Sequence, residues 1–122
     1  MLGSCRAALG ALVAAALISA SIANAAEDCG ENDGDWHAGS AIYHQTCVAC
    51  HGEDGHGVRA GVPDFTTGVM AYSTSSLLRH IKNGFQVPGR PLAMPPKGNN
   101  AALTDADIRN VLAYLRHAFG CG

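Results

Sequence analysis

Cys47-Val48-Ala49-Cys50-His51 is the stretch that decides how this 122-residue chain is read. Two thiols one helical turn apart, with an imidazole directly after the second, form the pattern of covalent c-type haem attachment. Each thiol can add to a vinyl group of a porphyrin, and the histidine is then held beneath the ring, where a nitrogen can bind iron. Other chemistries use paired cysteines, and the rest of the sequence opposes each. A thioredoxin-like redox pair belongs beside a βαβ pattern, which is missing here. A structural zinc site needs a second ligand pair, whereas Cys29 and Cys121 stand singly. A plain disulfide would leave His51 without a purpose.

Composition fits a small domain organised around such a group. The chain is 48% apolar, 15% charged and 6% aromatic, too apolar for disorder and of a length that allows one domain. Eight basic residues against ten acids give a net charge of −2, which argues against binding nucleic acid through phosphate neutralisation. With one Trp, three Tyr and three Phe, side chains alone make a thin core. A flat apolar macrocycle would supply the missing hydrophobic mass, and the protein without it should be poorly stable.

Part of the apolar surplus lies at the N-terminus. Arg6 is followed by an uncharged run from Ala7 to Ala26, and Ala23-Asn24-Ala25 places small residues where a signal peptidase reads them. Residues 1–25 are therefore expected to be a signal peptide cleaved after Ala25, leaving 26–122 as the exported domain. An uncleaved anchor is the competing reading, but alanine dominates the run and its hydrophobicity is weak. The mature chain is expected to be periplasmic, monomeric and without a membrane span.

The remaining pattern is all-α, with three or four helices and long loops. Asp35 can cap a helix from about Trp36 to Thr46, in which Gly39, Ile42, Tyr43 and Thr46 share one face. Ser73 or Thr74 opens a second helix carrying Leu77, Leu78 and Ile81, ended by Gly84. Thr104-Asp105-Ala106-Asp107 resembles a capping box, followed by Ile108, Val111, Leu112, Leu115 and Phe119 at helical spacing. Glycines crowd residues 52–68, and Pro88, Pro91, Pro95 and Pro96 make 85–103 irregular.

Iron held by His51 needs a sixth ligand or an open site. Met94 lies in Leu92-Ala93-Met94-Pro95-Pro96, where the prolines restrict the backbone and can hold a weak thioether in place. Met70 reads as packing, and His80 is the one alternative imidazole. His37, His44, His56 and His117 read as polar surface residues.

These residues together resemble the small soluble class I cytochromes c of the bacterial monohaem type, over about Trp36 to Phe119. The resemblance implies the cytochrome c fold wrapped around one covalent haem c, with Gly39 and Tyr43 packing on the last helix near Val111, Tyr114 and Leu115. It implies that the carbonyl of Pro63 accepts a hydrogen bond from His51 Nδ1, and that Met94 is the axial methionine. Trp36 stands at the first helix rather than mid-chain, so no tryptophan–propionate bond is inherited, and Phe65 replaces a more usual aliphatic residue.

The function so implied is electron transfer by an Fe(II)/Fe(III) haem with His51 and Met94 as axial ligands, not enzymatic catalysis. The alternatives are a haem subunit of a periplasmic dehydrogenase or oxidase, and a haem with an open sixth site for catalysis or gas sensing. Redox partner proteins follow from any carrier role. Arg79, Lys82, Arg90 and Lys97 would form a positive patch suited to an acidic docking face, unless one or more, Arg90 first, pair with haem propionates.

In the family the first and last helices cross, which brings the ends of the domain together. Cys29 and Cys121 are therefore expected to form a disulfide. It would close a loop spanning nearly the whole mature chain, worth about 4–5 kcal/mol as an upper bound in the chain-entropy model. Thiol titration of denatured, unreduced protein should find neither sulfhydryl free.

Overall fold

Asp35 starts the fold by accepting hydrogen bonds from the backbone N–H groups of His37 (2.8 Å) and Ala38 (3.4 Å), which caps helix α1, Trp36–Ile42. The computed structural model describes residues 32–120. The expected signal segment, Cys29 and Cys121 lie outside these residues. The first helix does not stop at Thr46 as the sequence suggested. It widens into a π-helical turn, Tyr43–Cys47, in which Val48 N–H reaches the Tyr43 carbonyl, and then resumes as α2, Val48–His51. The wider turn shifts the helical phase by about one residue, so a 3.6-residue pattern read from Trp36 loses register at this point.

Helix α3, Thr74–Asn83, begins at Ser73, whose hydroxyl accepts from Ser76 N–H, and ends at Gly84. Helix α4, Asp105–Phe119, carries the expected capping box between Thr104 and Asp107. Among the described residues no strand forms. One isolated antiparallel bridge joins Phe85 to Met94, and short 3-10 turns occupy Val69–Ala71 and Pro96–Asn99.

Helices α1 and α4 pack at backbone distance. A Cβ on Gly39 would stand 1.9 Å from the Asn110 carbonyl oxygen, and one on Gly34 would stand 2.2 Å from that of Arg109. Polar bonds fix the same crossing: Asn32 Nδ2 donates to the Arg109 carbonyl (2.9 Å), and Asp35 N–H donates to Asn110 Oδ1 (2.8 Å). Tyr43 follows Gly39 by one turn, is fully buried, and packs on Tyr114 with ring centroids 5.1 Å apart. The core is Tyr43, Phe65 and Met70 with Leu77 and Ile81 of α3 and the apolar face of α4. Met70, 1% exposed, has the packing role its sequence context suggested.

Arg116, in the last turn of α4, is buried and donates to Thr74 Oγ1 (2.7 Å) and the Tyr72 carbonyl (3.0 Å), clasping α4 to the start of α3.

Replacing Gly39 by Ala should force the α1–α4 crossing apart. A loss of about 2–3 kcal/mol is expected, read as a lower denaturant midpoint of the haem-loaded protein with an unchanged slope.

Candidate haem-binding site

The loop after the Cys47–His51 motif is tied back onto it. Gly57 N–H donates to the His51 carbonyl (2.8 Å) and Val58 N–H to that of Cys50 (3.0 Å). The Tyr43 hydroxyl donates to the Gly52 carbonyl, and burial keeps that phenol protonated by raising its pKa. Phe65 N–H donates to the Gly55 carbonyl (2.9 Å). Phe65 is thereby set against His51, their rings stacked with centroids 4.5 Å apart and 19° between planes.

His51 is 8% exposed. Burial lowers its pKa, favouring the neutral imidazole, the form that ligates a metal. Its Nδ1 is buried without a hydrogen-bond partner, so the bond it was expected to donate to the Pro63 carbonyl is not made in this structure. The ring is oriented by stacking on Phe65, and Pro63, two residues earlier, is exposed. Cys47 and Cys50 are both free thiols. Cys47 packs against the core, and burial pushes its pKa to about 11, with the neighbouring Cys50 adding to the shift. Cys50 is exposed.

Met94 is placed by its backbone. Its N–H donates to the Phe85 carbonyl (2.8 Å) and its carbonyl accepts from Phe85 N–H (3.0 Å). Gly84, with φ +79°, allows this approach: a Cβ there would lie 2.7 Å from the Met94 carbonyl oxygen. The Met94 side chain is half-buried and packs on the same core as Cys47 and Val48. Two uncommitted thiols one turn apart and a buried neutral imidazole with an unpartnered nitrogen fit the attachment of a covalent haem c, and the Met94 thioether lies on a pinned segment packed on the same core. The exposed apolar side chains of Phe85 and Val87, 45% each, suit the same apolar group.

The other histidines have partners. His80 stacks on Phe85 with centroids 4.1 Å apart, its pKa lowered by burial and by Arg79. His37 and His117 each stack on Trp36, at 3.5 and 3.9 Å. His44 Nε2 lies 2.9 Å from Glu53, and its Nδ1 lies 2.7 Å from the Ser40 carbonyl oxygen. Two members of the expected basic patch are also engaged. Lys82 pairs with Asp105 at 2.8 Å, and Lys97 Nζ donates to the Leu103 carbonyl at 2.7 Å. The Phe65–His51 stack and the Phe85–Met94 pairing were not visible in the sequence, because neither partner follows from local periodicity.

Fold and donor set define a covalent haem c protein of the cytochrome c type. The chain belongs to the family described as cytochrome c oxidase, cbb3-type, subunit III, which it matches over residues 34–115. It is 36% identical over 90 residues to the cbb3-type oxidase subunit CcoP of Cereibacter sphaeroides, covering 69% of this chain and 27% of that one. The chain thus spans about a quarter of that relative's length. It is 36% identical over 69 residues to cytochrome c-554(548) of Halomonas halodenitrificans, covering 57% of this chain and 80% of that one. Among solved structures it is similar to the c-type cytochrome XoxG of Methylobacterium extorquens AM1, with TM-score 0.54 and 27% identity, over 71% of this chain and 54% of that one. No helix among the described residues is long and apolar enough to cross a membrane.

One ion pair braces the loop that carries Phe65. His56 Nδ1 lies 2.8 Å from Asp64 Oδ2. The hydrogen bond and charge of Asp64 hold His56 above its ordinary 6.5. Hydrogen bonds from Thr66 and then His56 bring Asp64 down to about 2. A raised histidine stabilises fully below 6.5 and loses that contribution as pH climbs through its folded value. A depressed aspartate stabilises above its ordinary 3.8 and loses the contribution as pH falls toward 2. Both groups are exposed, so the effect is small. The melting temperature of the native protein, measured relative to His56→Gln, should be highest between these limits and fall as pH rises above 6.5.

Proposed function

We propose that this domain is a periplasmic single-haem electron carrier, attached to its haem through Cys47 and Cys50 and holding the iron between His51 and Met94. The pinned Met94 segment carries the reading: its backbone is bonded to Phe85 in both directions, behind Gly84, while its side chain packs on the core that Cys47 also joins. A thioether fixed in this way can serve as a weak ligand through both oxidation states with little rearrangement. Haem c supplies a one-electron iron couple. His51, neutral through burial, offers a nitrogen lone pair, and Phe65 fixes the plane of its ring. Met94 ligation favours the ferrous form and raises the potential relative to two histidines. His51 and Met94 together would hold the iron from the protein and would leave it no site for substrate.

Export with cleavage after Ala25 and a Cys29–Cys121 disulfide belong to the same reading, as do redox partners on either side of the couple. Lys82 is paired with Asp105 and Lys97 with the Leu103 carbonyl, while Arg79 and Arg90 are exposed. They flank the apolar Phe85 and Val87 in sequence, a combination suited to an acidic partner with an apolar centre. The similarity to CcoP favours a second reading, in which the domain is a fixed subunit of an oxidase complex. Co-purification of a complex at high salt would select it over the free carrier.

Replacing Met94 by Ala should lower the reduction potential, abolish the weak far-red band of sulfur-to-iron charge transfer, and let the reduced protein bind carbon monoxide. Retention of the band and the potential would assign the sulfur elsewhere.

A further inference from the structure

The chain leaving Met94 makes a turn that local conformational preference opposes. Lys97, Gly98 and Asn99 have φ values of 56°, 60° and 65°, three consecutive residues in the left-handed region, two of them bearing side chains. Such a run persists only where surrounding contacts enforce it. Two contacts reach back 54 and 52 residues to Thr46, the residue before Cys47. Asn100 Nδ2 donates to Thr46 Oγ1 at 3.2 Å, and a Cβ on Gly98 would stand 2.9 Å from Thr46 Cγ2. The other end of the Asn100 amide is also used: Oδ1 accepts from Ala102 N–H at 3.2 Å. Asn100 N–H donates to the Lys97 carbonyl at 3.1 Å, and the Asn100 carbonyl accepts from Leu103 N–H at 3.2 Å. Lys97 Nζ closes the same loop on the Leu103 carbonyl. The loop is a self-bonded unit whose side-chain hydrogen bond to the haem-motif helix runs from Asn100 to Thr46.

We propose that Asn100 and Thr46 form a positioning pair that fastens the Met94 segment to the helix bearing Cys47 and so sets how firmly the sixth ligand is retained. Phe85 anchors Met94 on the side of α3. Asn100 anchors the outgoing chain on the side of the haem motif. Loss of either partner leaves the left-handed turn without its brace, and the segment between Met94 and Asn100 can relax toward ordinary backbone conformations. The iron–sulfur contact then opens more often while the helices stay folded. The proposal rests on Met94 as ligand, so the experiment carries a separate control for that assignment.

The haem-loaded protein is compared with Asn100→Ala, Thr46→Val and Thr46→Ser. Met94→Ala serves as the ligand control, and Asp107→Ala, which removes the α4 capping box, as a purely structural one. Two quantities are read: the temperature at which the far-red band disappears relative to the loss of helical signal, and the rate of carbon monoxide binding to the reduced protein. In Asn100→Ala and Thr46→Val the band should vanish well before the helices unfold. Carbon monoxide should bind about tenfold faster, equivalent to ~1.4 kcal/mol of lost ligand retention. Thr46→Ser keeps the acceptor and should behave as the parent. Asp107→Ala should lose band and helix together with an unchanged binding rate. If Asn100→Ala and Thr46→Val leave the binding rate unaltered while Met94→Ala abolishes the band, the positioning role is wrong and the ligand assignment stands. A band that survives Met94→Ala overturns both.

Discussion

The crossing of α1 on α4 is the constraint from which the remaining geometry follows. Gly39 lets the two backbones meet at a distance that no side chain would permit, and Asp35 and Asn32 bond to the facing turn of α4. With the helices so close, Tyr43 can be buried completely against Tyr114 while its hydroxyl still reaches the Gly52 carbonyl. That hydroxyl connects the crossing to the residue after His51. The haem motif is therefore placed by helix packing upstream and by a side-chain bond downstream. Steric exclusion carries the greater part, because the hydrogen bonds at the crossing are partly exposed and contribute about 1 kcal/mol each.

On this frame the side chains proposed to serve the haem are held by loops with little regular structure of their own. Phe65 and Met94 come from segments without helix, yet each is bonded to something rigid: Phe65 to Gly55 and through its ring to His51, Met94 to Phe85 at the end of α3. Gly84 serves α3 and Met94 together, since the backbone that ends the helix is also the surface on which the Met94 carbonyl rests. Arg116 adds a buried clasp between α4 and the chain entering α3. Long loops are usually the mobile part of a small domain. Here they are fastened at the residues proposed to face the haem.

Sequence reading reached the features governed by local rules. The Asp35 cap, the Thr104–Asp107 box, the Gly84 stop and the Cys47–Cys50–His51 spacing each depend on residues within one or two turns. It missed the extension of the first helix through His51, because a π-helical turn breaks the period on which helix detection relies. It missed the pairing of Phe85 with Met94 and the stacking of Phe65 on His51, since both are non-local and involve residues with no pattern around them. The Pro63 bond, inferred by likeness, is not made in this structure, where the His51 ring stacks on Phe65. Formal charge likewise overstated the basic patch, because Lys82 and Lys97 have partners far from them in sequence or around a tight turn.

The π-helical turn at Tyr43–Cys47 has a bearing on which length changes this chain can tolerate. Each residue in a regular helix advances the side-chain direction by about 100°. Deleting one residue from this turn would regularise the hydrogen bonding and give a helix that is better by local criteria. It would also swing Cys47, Cys50 and His51 together around the axis relative to Gly39 and Tyr43. The thiol now packed on the core would face elsewhere, and the imidazole would leave Phe65. Point substitutions inside the turn preserve that angular offset, whereas a single-codon deletion erases it. The segment is thus intolerant in length independently of the side-chain roles of Tyr43, Thr46 and Cys47, with its less regular helix serving as the spacer between a packing face and a chemical one.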